Sequence, residues 1–261
     1  MNMARSSFYY YVKQDSKDKY LEIKKKIELI YHKHKGRLGY RRITILLRQS
    51  GITINHKTVL RLMGELKLKS LIRRKKYKSY RGEQGKIAPN VLERSFKAKK
   101  PNQKWVTDVT EFNVSGKKLY LSPVLDLYNQ EIVSYELSER PDFKSVMNML
   151  EKALKKTDKP KSLLMHSDQG WQYQMKQYQN ALKQNSIKQS MSRKGNCLDN
   201  AVMENFFGTL KSELFYLNKY DSIDHLKRDI NQYIKYYNND RIKLNLNGMS
   251  PVQYRAHHFK T

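Results

Sequence analysis

Between Asp18 and about Lys35, apolar residues recur at Leu21, Ile23, Ile27, Ile30 and Tyr31, close to the helical period, with Lys24, Lys25 and Lys26 on the other face. This spacing predicts an amphipathic helix. The GRLGY stretch interrupts it, and a second helix is predicted from about Tyr40 to Gln49, burying Ile43, Leu46 and Leu47 and stopping at Gly51. Asn55 can cap a third helix from about His56 to Leu66, whose Val59, Leu62, Met63 and Leu66 form an apolar stripe while Lys57 and Arg61 point away. Two short helices across a glycine-containing turn have the outline of a helix-turn-helix, an outline that any small three-helix core shares. Residues 67–103 have little periodicity, many basic side chains, and Gly82, Gly85, Pro89 and Pro101, which predicts a basic linker that orders on its partner.

From Trp105 the period changes to two. WVTDVTEFNV, KLYLSPVLDLY and EIVSYEL predict a three-strand meander with turns at Ser115-Gly116 and near Tyr128–Gln130. Pro141 then opens a helix with Phe143, Val146, Met147, Leu150 and Leu154 on one face. SLLMH reads as a short buried strand, 175–185 as a helix, 187–190 as a strand, and 201–214 and 222–238 as helices; Ser250-Pro251 starts a terminal helix with serine as cap. The expected fold is α/β, a mixed five-stranded sheet with flanking helices over 104–261, preceded by a small all-α domain over 1–66.

Charge changes what this architecture is for. The 261 residues carry 52 Lys/Arg against 24 Asp/Glu, a net +28. Residues 1–100 hold 28 Lys/Arg and 7 Asp/Glu, so most of the excess lies in the N-terminal part. Such a field attracts a polyanion, and nucleic acid is the default partner. The cluster IRRKKYK at 72–78 interleaves a tyrosine able to stack on a base, which makes Arg73, Arg74, Lys75 and Lys76 candidate DNA contacts beside Lys57 and Arg61. No apolar run is long enough to span a membrane and the N-terminus lacks an apolar signal core, so a cytoplasmic, nucleoid-associated protein is expected. One cysteine, Cys197, excludes a disulfide framework and a cysteine-based zinc site.

In so basic a chain, carboxylates among apolar neighbours are the ones to question. Asp108 lies in the first strand, Asp168 follows the buried strand in LLMHSDQGWQY, and Glu204 lies early in the helix DNAVMENFFGTLKSE. If the first and fourth strands are neighbours, the two aspartates converge and the helix can lay Glu204 over them. Such a cluster repels itself unless cations neutralise it, and hard oxygen ligands suit Mg²⁺ or Mn²⁺. Lys211, two helical turns beyond Glu204 on the same face, is placed to hold a DNA backbone. The competing reading is strand-end and cap acids without a common site. It is the one adopted for Asp199 as cap of the Glu204 helix, Asp126 in the turn before Asn129 and Asp221 as cap of the last long helix, and Glu111 is expected outside the site. His166, beside Asp168, reads either as an active-site group or as a buried, hydrogen-bonded strand histidine.

The text WVTDVTEF, HSDQGWQY at 166–173, RKGNCLDNAVMENFFGTLKSE at 193–213 and YNNDRIKLNLNGMSPVQYR at 237–255 resembles the insertion-sequence-three transposases, in their second-frame (OrfB-type) product, whose RNase H-like core is shared with retroviral integrases. Upstream, GYRRI at 39–43 and VLRLMGEL at 59–66 resemble the helix-turn-helix segment before that core. The resemblance implies Asp108, Asp168 and Glu204 as a catalytic triad binding two Mg²⁺ ions, with Mn²⁺ able to substitute, and Lys211 and Arg241 among the DNA-facing residues. It implies DNA cleavage and strand transfer at an element's terminal inverted repeats, a target DNA, an upstream-frame OrfA-type partner, and a homo-oligomer on DNA. Trp171 stands where a small polar residue is common and Lys243 where many members have His. A nuclease of the same fold without strand transfer, or a non-catalytic DNA-binding regulator of transposition, are the alternatives.

Overall fold

The computed structural model of the chain describes residues 4–6, 18–71, 88–157, 162–193 and 197–259. The chain divides into two compact units, Met1–Ile72 and Arg73–Thr261.

In the first unit, α1 (Leu21–Lys33), α2 (Tyr40–Gln49) and α3 (His56–Glu65) bury Ile27, Leu38, Ile43, Leu47, Val59 and Leu62 completely. The apolar stripes expected from the sequence are these packed faces, except that Leu21 is exposed and Ile23, Ile30, Leu46 and Leu66 are only partly buried. Asn55 caps α3 by accepting from the Lys57 backbone N–H at 2.9 Å. Gly36, at φ +70°, lets the chain turn after α1, and Leu71 donates back to its carbonyl at 2.9 Å.

The second unit is built on one mixed sheet of six strands: β1 (Lys104–Thr107), β2 (Thr110–Val114), β3 (Lys117–Asp126), β4 (Ile132–Ser138), β5 (Leu164–Ser167) and β6 (Lys188–Met191). The expected count of five is corrected because the first strand is interrupted. β1 and β2 lie end to end along one edge of β3 in unchanged antiparallel register, which sets Asp108 opposite Pro123. The Leu127 N–H donates to Lys104 on β1, so by alternation position 123 would also donate toward that strand. Proline has no hydrogen to give, and the ladder opens at Asp108–Val109. β4 pairs with the other edge of β3, while β5 adds parallel to β1 and β6 parallel to β5.

Alternation along the strands feeds two cores. Trp105, Val124, Met165 and Met191 face α4 (Phe143–Lys156) and α6 (Lys176–Gln184). Val106, Phe112, Leu121 and Leu125 face α7 (Ala201–Leu210) and α8 (Ile223–Asn239). A four-residue helix, α5 (Trp171–Gln174), not anticipated from the sequence, precedes α6, and α7 continues into a π turn over Lys211–Phe215. The side chain of Asn238 on α8 clasps the Ile132 peptide, accepting from its N–H and donating to its carbonyl, each at 2.9 Å. The terminal α9 (Pro251–His258) has the expected Ser250 cap, as a full capping box with Gln253.

Several cap assignments shift. Asp142 caps α4 just after Pro141, and Ser222, not Asp221, caps α8, each accepting from the backbone N–H three residues on. Asp199 is no helix cap at all: it is buried and ion-paired, as described below. Asp126 does stabilise its turn, accepting from the Tyr128 and Asn102 N–H groups. Of the segment expected as a linker, residues 88–103 lie in the second unit. There Leu92 enters the core and the Val91 and Leu92 N–H groups donate to Ser190 Oγ at 2.9 and 3.1 Å.

Candidate active site

The parallel pairing of β1 with β5 matches Trp105 with Met165 and Val106 with His166. Continued two residues further, the same register brings Asp108 level with Asp168 just beyond the C-terminal ends of neighbouring strands. Alternation turns both toward the face that α7 covers. Each strand stops where its aspartate binds its own loop. Asp108 accepts from the Val109 N–H at 2.7 Å, and Asp168 from the Gly170 N–H at 2.9 Å. A side chain at 170 would bring its Cβ to 2.9 Å from Asp168 Oδ1 and 2.5 Å from Gln172 Nε2, so both side chains would have to shift to admit one.

Both aspartates are partly buried and keep some accessible surface. Desolvation pushes the Asp108 carboxyl well above the usual carboxylate range. The neighbouring Asp168 charge adds to this, and Glu204 on the first turn of α7 adds less; the Lys211 ammonium works the other way. Asp168 is likewise raised by burial. Beneath the pair, Tyr173 is buried against Thr107 with its hydroxyl 3.3 Å from that of the threonine, and burial plus the two aspartate charges raise its phenol well above normal. Among the described residues no three acidic, histidine or cysteine side chains already form a cluster able to hold a metal ion. Asp108 and Asp168 are thus brought together, with Glu204 in electrostatic reach.

The surrounding positions fall out variously. The Lys211 ammonium lies 5.1 Å from the centre of the Phe112 ring. His166 is fully buried between Ser190 Oγ (2.8 Å) and Ser192 Oγ (3.1 Å), which makes it the hydrogen-bonded strand histidine; burial lowers it to about 4. Glu111 pairs with Lys118 at the surface. Arg241, expected on DNA, is corrected: it is buried, and its guanidinium donates twice to the buried Glu213 at 2.6 and 2.8 Å. Lys243 donates to Tyr237 Oη and Gln130 Oε1, and Trp171 is half exposed. On α3, Lys57 is exposed, while Arg61 pairs with Glu65 and lies over the Tyr20 ring. Arg73, Arg74, Lys75 and Lys76 lie outside the described residues.

Comparison with known proteins gives this geometry its context. Residues 98–197 and 204–259 each match a family described as Integrase core domain, and residues 18–76 match an HTH-like domain. InsK of Escherichia coli strain K12, assigned as transposase to insertion sequence element IS150, is 60% identical over 97% of this chain and 90% of its own length. InsF, the transposase for insertion sequence IS3A in the same strain, is 32% identical over 86% of this chain and 78% of its own.

The chain belongs to the insertion-sequence-three (IS3) family of transposases.

DNA transposition is therefore its function. A chain of the simian T-cell lymphotropic virus intasome, solved with the PP2A regulatory subunit B56 gamma, is similar to the transposase with a TM-score of 0.52. At 16% identity over 88% of this chain and 74% of that one, the likeness is one of fold. Among the described residues of the transposase, no helix is long and apolar enough to cross a membrane. Sequence reasoning missed Tyr173 as the floor of the aspartate pair and the buried Asp199. The first stood in view within HSDQGWQY, but nothing in the text told core tyrosines from surface ones.

Proposed function

We propose that the transposase cleaves DNA at the ends of its element and joins the freed 3′ ends to target DNA, with Asp108, Asp168 and Glu204 as the catalytic carboxylates holding two divalent cations. The observation that carries this reading is the Asp108–Asp168 pair. Two carboxyls set side by side in a desolvated cleft, each raised by burial, repel one another when ionised, and a cation between them relieves that cost. The donor set is all carboxylate oxygen, which fits Mg²⁺, with Mn²⁺ as substitute. Bound there, the metal ions would supply Lewis-acid activation of the attacking oxygen and charge stabilisation at the leaving 3′ oxygen.

The chain's own residues do the rest. Asp108 lies under the influence of both other carboxylates and would be the one shared, with Asp168 and Glu204 each completing one side. Closure requires Glu204 to approach the aspartates, the direction in which neutralising the pair draws it. Lys211, on the turn after α7, would hold a phosphate of the bound strand, and Lys57 and Arg61 would engage DNA from α3. Joining two ends implies a multimer on DNA, and the upstream-frame OrfA-type product would contribute recognition of the terminal repeats. The work is done at the nucleoid, in the cytoplasm.

Labelled DNA carrying the element's ends, incubated with protein and Mg²⁺, Mn²⁺ or EDTA and resolved on a denaturing gel, tests the proposal. Joined products are expected with either metal, none with EDTA, and none with Glu204→Gln, which keeps size but loses the charge. Nicking without joining, even after the OrfA-type product is added, would leave a nuclease. Binding without any cleavage would leave a DNA-binding regulator.

A further inference from the structure

The aspartates are fixed by strand ends, but Glu204 rides on a helix, and something must set where that helix begins. A 3₁₀ turn, Cys197–Asn200, leads directly into α7, and its last two residues are its anchors. The Asp199 side chain is completely buried. It accepts from the Arg193 backbone N–H (3.0 Å), from Arg193 Nε and Nη2 (3.0 and 3.1 Å), from Asn90 Nδ2 (3.0 Å) and from Arg94 Nε (2.8 Å). These bonds hold its carboxyl well below the usual range, chiefly through the Arg193 side chain. Asn200, also buried, donates from Nδ2 to the carbonyl of Thr107 at 3.3 Å, one residue before Asp108. Its Oδ1 is buried and has no hydrogen-bond partner among the described residues.

Two of the groups on Asp199 come from far away in sequence. Residues 88–94 run along the outer edge of β6, where Pro89 O accepts from the Met191 N–H at 3.4 Å and Ser190 Oγ takes the Val91 and Leu92 N–H groups. The strap then makes a left-handed kink, Glu93 at φ +45° and Arg94 at φ +59°, a conformation that non-glycine residues adopt at a cost. The kink is what the strap adopts where it delivers the Arg94 guanidinium to Asp199.

We propose that Asp199 and Asn200 form a latch that positions Glu204 for the reaction, Asn200 fastening the start of α7 to the Asp108 strand and Asp199 fastening it to the 88–94 strap through Asn90 and Arg94. The inference rests on the carboxylate-triad reading above. Asp199 and Asn200 are positioning residues: they act through the backbone of α7, four and five residues ahead of Glu204. The carboxamide oxygen of Asn200, beside the Asp108 strand, has acceptor capacity left over among the described residues.

Arg94→Ala is the informative variant, because Arg193 and Asn90 still hold Asp199 and the fold is retained. Three quantities are read on the full-length protein: hydrogen–deuterium exchange of the 199–206 amides without metal or DNA, half-saturation by Mn²⁺ measured calorimetrically, and kcat against KM for end cleavage. A latch is expected to show exchange in that segment at least about tenfold faster, weaker Mn²⁺ binding and about a tenfold loss in kcat, with KM for DNA within twofold. Arg94→Lys is expected to restore part of each. Asn200→Ala is expected to act in the same direction, with a similar or larger loss.

Unchanged exchange over 199–206 in both variants would overturn the latch whatever the metal reading's fate. A rise in KM with kcat and exchange unchanged would make Arg94 a DNA contact instead. Faster exchange with no change in Mn²⁺ binding or kcat would make the network structural only. Since exchange is measured without metal, failure of the triad reading would show separately, as an absence of Mn²⁺ binding in the unmodified protein.

Discussion

Asp108→Asn is expected to abolish strand cleavage and joining while making the metal-free protein more stable at neutral pH. The activity loss should reach at least about a thousandfold, or roughly 4 kcal/mol of transition-state stabilisation. The gain in stability follows from the direction of the shift. Burial and the Asp168 charge raise the Asp108 carboxyl, so the folded state binds its proton more tightly than the unfolded chain does. The stability this carboxyl contributes is therefore present below the ordinary aspartate value and lost as pH rises through the raised one. Above that raised value the metal-free protein holds an ionised group that its surroundings disfavour, and asparagine removes it. An increase on the order of 1–2 kcal/mol, a Tm higher by a few degrees, is expected by calorimetry in EDTA at pH 8, and a smaller one at pH 5.

The buried His166 has the opposite influence: lowered to about 4, it adds stability as pH rises from there toward 6.5. The difference between variant and parent, not the parent's own profile, therefore isolates Asp108. Divalent metal should stabilise the parent more at pH 8 than at pH 5 and leave Asp108→Asn nearly unaffected. A variant less stable than the parent at pH 8 in EDTA would contradict this electrostatic picture.

The second large effect concerns stability alone. Arg241→Ala removes the guanidinium from the Glu213 carboxylate in the core between α7 and α8, where Tyr233 Oη also donates to it at 2.9 Å. Breaking a buried ion pair from one side costs about 3–5 kcal/mol, which for a unit of this size lowers Tm by roughly 10 °C. Arg241→Lys should recover little, since an ammonium cannot reproduce the two parallel bonds of the guanidinium. DNA binding by the folded variant is expected to keep its salt dependence. A residue that neutralises a phosphate would instead reduce the slope of log K against log salt by about one, with Tm unchanged, and that outcome would return Arg241 to the DNA interface.

Arg241 also shows where the sequence stops being readable. In a chain of net +28 an arginine near the C-terminus reads as surface charge, and nothing local marks Glu213, 28 residues earlier, as its partner. Asp199 is the same case at longer range, with partners 105 and 109 residues away on a strap whose composition reads as linker. Periodic features fared better because their cause is local. The stripes of α1 to α3 and α4 sit where the apolar spacing puts them, since burial of one helical face is decided within a few turns. Asp108 and Asp168 were legible as strand-end acids, but their level placement comes from the parallel β1–β5 register, which no single strand encodes. The break between β1 and β2 was hidden for a similar reason: the cause, Pro123, lies on the neighbouring strand.

The most direct measurement is anomalous scattering from crystals of the transposase grown or soaked with Mn²⁺, with data collected near the manganese absorption edge. Two peaks about 3.5–4 Å apart are expected, one between Asp108 and Asp168 and one between Asp108 and Glu204, both lost in Asp108→Asn crystals treated identically. Saturating Mn²⁺ with no peak at these carboxylates, or peaks that survive the Asp108 substitution, would contradict the assignment of this cleft as the metal-dependent centre of transposition.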